Sequence, residues 1–64
     1  MLYIKAHRLA QGISVPKMSQ LTGIPIRTIE DLEKRGDCRV SVALKIANVL
    51  GLTLNDLIVD PSAK

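Results

Sequence analysis

The chain has 64 residues, enough for one small domain and too few for a second domain or an active-site cleft of ordinary size. Apolar residues make up 47% of it, yet it has no Trp, no Phe and a single Tyr, so the core must be aliphatic. One cysteine, Cys38, excludes an internal disulfide and a cysteine-based zinc site, while a net charge of +3 suits a polyanionic partner without demanding one.

In chain order, the first predicted helix spans 1–11, with Ile4 and either His7 or Arg8 inward and Gly12 as its stop. Leu2, Tyr3 and Leu9 add more apolar surface than one face can hide, and Ile13 is expected to enter the core. Ser14 is a good N-cap for a second helix ending near Thr22, with Pro16 in the first turn, where its missing N–H costs little. Lys17 stands where a capping box would place Glu, and a cation there opposes the helix dipole by about 0.3–1 kcal/mol. It is either an ordinary solvated lysine or one aimed at a phosphate near the helix end.

Gly23 is placed to reverse the chain in the left-handed conformation, and Pro25 pre-sets the start of a third helix running to about Lys34. That helix has a narrow apolar stripe, Ile29 and Leu32, beneath a leading face of Ile26, Arg27, Thr28 and Asp31. A polar loop follows, Arg35-Gly36-Asp37-Cys38-Arg39. The fourth helix spans Val40 to Leu50, with Ala43, Leu44, Ala47 and Leu50 expected on one face. After Gly51, Leu52 returns to the core. Thr53 reads as the N-cap of a short fifth helix, Leu54 to Ile58, with Asp56 favourable at its positive end. Val59-Asp60-Pro61 ends it. The expected organisation is one all-α domain over residues 1–59 and a flexible tail over residues 60–64.

No apolar run approaches the ~20 residues of a membrane span. Lys5, His7 and Arg8 are interleaved with apolar residues instead of preceding an apolar block, so no secretory signal is expected. The expected setting is a reducing cytosol.

Two short helices joined by a tight, glycine-containing turn form the helix-turn-helix unit, whose second helix enters the DNA major groove. Across nearly the whole chain further points agree in order and spacing: Arg8, Gly12-Ile13-Ser14, Met18, Gly23-Ile24, Thr28-Ile29, Leu32-Glu33, Leu44-Lys45-Ile46-Ala47, Leu50-Gly51-Leu52 and Asn55-Asp56-Leu57. In these the chain resembles the phage-repressor/Cro (XRE) family of regulators. The resemblance implies a compact five-helix lambda-repressor-like fold that binds operator DNA, usually as a dimer. It also implies a partly buried ion pair between Arg8 and Glu33, and a groove-facing set of Ile26, Arg27, Thr28 and Asp31. The chain departs from the family at Val15, where Gln is common, and at Pro25, where Ser or Thr usually caps the third helix.

Arg27 suits either a bidentate contact to guanine or a phosphate clamp. Thr28 suits a phosphate or a base, and Asp31 suits cytosine N4. Ile26 and Val15 suit thymine methyl groups. Backbone contacts are expected from Ser14, Val15, Lys17, Lys34, Arg35 and Arg39. Glu30 is expected on the flank, paired with Arg27 or Lys34 one turn away. Leu52, Leu54, Leu57, Ile58 and Val59 form the expected dimer surface, being the apolar surplus of a small core. His7 is the only histidine and has no catalytic or metal-binding partners. Arg35 and Arg39 are placed to lower the Cys38 thiol pKa. No enzyme constellation, metal or cofactor is expected. The rival reading is a protein-interaction module on the same fold, such as an antitoxin, motivated by the acidic third helix and the apolar Leu9, Val15, Leu21 and Ile26.

Overall fold

The computed structural model describes residues 1–62 as a cluster of five helices. They are α1 (Ile4–Ala10), α2 (Val15–Thr22), α3 (Ile26–Arg35), α4 (Val40–Leu50) and α5 (Leu54–Leu57). α2 packs on both α3 and α4, while α1 and α5 each close against α4. The expected all-α, five-helix architecture is what the chain adopts.

Each boundary has a local cause. The Ser14 hydroxyl accepts the Lys17 N–H at 3.2 Å and starts α2, and Gly23 ends it at φ 75°, a conformation costly for any side chain with a Cβ. α3 begins at Ile26 with Pro25 in the N-cap position and no side-chain cap, and it runs to Arg35, one residue beyond expectation. α5 has only four residues, far too few to persist alone. A capping box holds it: Asp56 Oδ2 accepts the Thr53 N–H at 2.9 Å, and Thr53 Oγ1 accepts the Asp56 N–H at 3.3 Å.

The core is aliphatic, with Ile4, Met18, Ile29, Leu32, Ile46 and Leu57 fully buried at its centre. Three expectations are corrected. α1 starts at Ile4 instead of Met1: Tyr3, at φ −95° and ψ 46°, is not helical, and the segment before it is pinned across the fold by Leu2 N–H to the Gly36 carbonyl (2.8 Å) and Tyr3 N–H to the Leu57 carbonyl (2.7 Å). On α4 the inner row is Ala43, Ile46, Ala47 and Leu50, the i, i+3, i+4, i+7 pattern of one face. Leu44 is half-exposed outside it. Ile13 is only partly buried, packing against the edge of the core.

At the C-terminal end, Asp60 Oδ1 accepts the Ser62 N–H (3.0 Å) and hydroxyl (2.8 Å), so Asp60–Ser62 form a turn. The rest of the expected tail, Ala63 and Lys64, lies outside the described residues. Among the described residues no helix is long and apolar enough to cross a membrane.

Candidate nucleic-acid interface

α2, the turn at Gly23–Pro25 and α3 form the helix-turn-helix. The turn is fastened by two hydroxyls. Ser19 Oγ donates to the Ile24 carbonyl at 2.6 Å, and Thr22 Oγ1 donates to the Met18 carbonyl at 2.7 Å while accepting the Ile24 N–H at 3.2 Å. Neither residue stands out in the sequence. The available signal is a pair of hydroxyl residues in the last turn before a helix-ending glycine, from where they reach the backbone of the turn that follows.

α3 is tied to α1 from below. Arg8 Nε and Nη2 donate to the two carboxylate oxygens of Glu33 at 2.8 and 3.1 Å, and Nη1 donates to the Ile13 carbonyl at 2.8 Å. Both side chains are buried, at 7% and 6% exposure. A bidentate fork with its third edge also satisfied is the geometry in which a buried ion pair is tolerated and fixes orientation. α3 therefore cannot roll about its axis without breaking this contact.

With Ile29 and Leu32 buried, the 100° step of an α-helix fixes which residues face out. Arg27 and Lys34 lie opposite the buried stripe, with Glu30 on one flank and Asp31 on the other. Ile26 sits at the edge beside Glu30; Thr28 and Arg35 sit at the edge beside Asp31. All seven are exposed. The flanks differ in their surroundings. Glu30 and Lys34 border a shallow cleft with Lys5 and Val15, whereas Thr28 and Arg35 border one with Cys38 and Arg39.

The charges on α3 do not pair as expected. Asp31 pairs with Arg35 across one turn at 3.0 Å, and Glu30 makes no ion pair among the described residues. Two of the helix's three acids are thus matched by arginines, leaving Arg27 and Lys34 on the outward line without an ion pair among the described residues. The acidity that speaks against a DNA-facing helix is largely neutralised within the fold.

Around α3, Ser14, Lys17 and Arg39 are exposed, and Val15 is half-buried against the core. The expectation for Cys38 is corrected: its thiol pKa is raised, first by burial and then by the Asp37 carboxylate, with Arg35 opposing them. His7 Nε2 lies 2.7 Å from the Asp56 carbonyl and 2.8 Å from the Val59 carbonyl. Both partners only accept, so this nitrogen carries the proton and ties α1 to the end of α5.

The expected dimer surface divides. Leu57 is fully buried and cannot meet a partner, because it anchors the four-residue α5 to the core. Ile58 and Val59 are exposed, while Leu52 and Leu54 are half-buried. Leu54 and Ile58 share an apolar groove of about 250 Å³ with Leu2, Val40 and Ala43. Among the described residues no three His, Cys, Asp or Glu side chains converge as a metal site would require.

A rigid helical platform presenting a hydroxyl-locked helix-turn-helix defines a DNA-binding domain. The chain belongs to the family of Cro/C1-type HTH DNA-binding domains, whose family model matches residues 4–62, and it is accordingly a DNA-binding regulator. No curated protein and no solved structure matches the chain.

Proposed function

We propose that the chain is a sequence-specific transcriptional regulator, acting as a repressor, which seats α3 in the major groove of operator DNA. The observation that carries this is the outward line of α3, where Arg27 and Lys34 are unpaired while Arg8 and Glu33 hold the helix from behind. Arg27 contacts a guanine edge, with Ile26 and Thr28 beside it. Asp31, already engaged by Arg35, lies at the groove margin. Ser14, Val15 and Lys17 lie against one phosphate strand and Lys34, Arg35 and Arg39 against the other. The domain acts by binding and without catalysis, in the cytoplasm of a bacterium or from a phage or plasmid gene.

The regulator binds as a homodimer through Ile58, Val59 and the groove edge at Leu52 and Leu54, reading an inverted repeat with half-sites roughly 34–36 Å apart. The exposed aliphatic residues at the end of α5 support this surface.

Fluorescence anisotropy of a labelled random duplex, titrated with protein at rising salt, tests the DNA reading. With Arg35 engaged by Asp31, three phosphate-facing cations (Lys17, Lys34 and Arg39) give an expected slope of log affinity against log salt of about −2.7 per protomer. Arg27→Ala should abolish preference for a selected operator and retain the fold. Absence of binding at low salt would remove this function in favour of a protein partner.

A further inference from the structure

Resting on the DNA reading above, we propose that Glu30, not Asp31, is the acidic specificity residue of α3, and that with Arg27 it selects two adjacent G·C pairs.

The two acids flank the outward line symmetrically, so helix position alone does not distinguish them. Their partners do. Asp31 enters any complex already matched to Arg35 at 3.0 Å. Glu30 has no ion pair among the described residues: Lys5 and Lys34 share its cleft, and neither makes one with it. A carboxylate that loses water on docking without a cation of its own needs a donor from the DNA. The major groove offers only the amino groups of cytosine N4 and adenine N6, and a carboxylate, which only accepts, is suited to cytosine. Adenine is read instead by an amide, which both donates and accepts.

The spacing agrees with a two-base readout. Arg27 and Glu30 are three residues apart, a rise of about 4.5 Å along the helix. That is close to one base step of about 3.4 Å. Arg27 forks onto guanine O6 and N7 of one pair while Glu30 accepts from cytosine N4 of the next. The role of Glu30 is discrimination more than affinity, since its charge repels every phosphate equally whatever the sequence.

Selection of bound sequences from a randomised duplex, run in parallel for the native chain, Glu30→Gln and Asp31→Asn, tests this. The native chain should enrich two adjacent G·C pairs. Glu30→Gln should change the second pair to A·T, with the amide bidentate on adenine, and lose about 5- to 10-fold of its discrimination for cytosine. It should also bind random duplex more tightly. Asp31→Asn should leave the preferred sequence unchanged. An unaltered preference in Glu30→Gln, or an altered one in Asp31→Asn, overturns the assignment. Failure of the native chain to enrich any sequence would instead overturn the DNA reading on which it rests. Circular dichroism of all three chains verifies the fold, which these exposed positions should not affect.

Discussion

Replacing Glu33 by alanine should cost most of the stability this domain has. The substitution leaves the Arg8 guanidinium buried at 5% residue exposure, with one surviving partner, the Ile13 carbonyl at 2.8 Å. Stranding one half of a buried pair costs about 3–5 kcal/mol. A domain of 64 residues, at the usual stability per residue, holds only about 3–10 kcal/mol in total. Urea unfolding followed by helical circular dichroism reads the difference directly. At a slope of about 1 kcal/mol/M for so small a protein, the midpoint should fall by about 3–5 M. Asp31→Ala is the internal control: it breaks a pair of the same charge type with both partners more than half exposed, and should shift stability by under about 1 kcal/mol. The double variant Arg8→Met/Glu33→Leu should recover much of the loss by removing both charges. It still leaves the Ile13 carbonyl without its donor, a residual of about 1–3 kcal/mol. A loss below about 1 kcal/mol in Glu33→Ala, at unchanged slope, would refute the view that the pair is desolvated and anchors α3.

Leu57→Ala should destabilise by about 2–5 kcal/mol through cavity formation. Ile58→Asp should leave the stability of the monomer within about 0.5 kcal/mol and, if the proposed homodimer forms, convert it to monomer in light scattering; equal stability losses at both positions would contradict their opposite burial. Cys38 should react with a disulfide reagent at neutral pH more slowly than a free thiol, because its pKa is raised chiefly by burial and so less thiolate is present; faster reaction would show that Arg35 dominates. The Asp56 carboxyl should titrate below the ordinary aspartate range, because the Thr53 backbone N–H and hydroxyl hold its charged form. A lowered folded-state pKa stabilises α5 above the unfolded value and loses that contribution as pH falls through the folded one. An NMR titration placing Asp56 at or above the unperturbed value would exclude the capping box.

What the sequence made legible was local. Ser14, Gly23 and Thr53 place helix ends within a residue because a cap or a left-handed glycine acts on its own few neighbours. Choices between equivalent local options were not legible. Leu44 and Ile46 both continue an apolar row on α4, and only where α2 and α5 press on that helix decides for Ile46. Leu57 and Ile58 are adjacent aliphatic residues, and which of the two faces the core depends on how the short α5 is set against α4. Glu30–Lys34 and Asp31–Arg35 have identical i, i+4 spacing; the spacing permits both, and the second forms. The N-terminal strap was invisible, since its acceptors at Gly36 and Leu57 are distant in sequence and backbone donors carry no signature.

These same choices decide how the surface of α3 works. The sequence already separates Glu33, expected on Arg8, from Glu30 and Asp31; which of those two is paired is decided by what the fold places beside them. Glu33 is turned inward onto Arg8 and fixes the helix; Asp31 is matched by Arg35, which on the proposed reading reduces repulsion at the groove margin; Glu30 is left without an ion pair among the described residues. Neutralising all three would give tighter but less selective binding, because attraction to phosphate is indifferent to sequence. On the proposed reading, one unmatched acid flanking two unmatched cations keeps attraction and still penalises a base pair lacking the right donor.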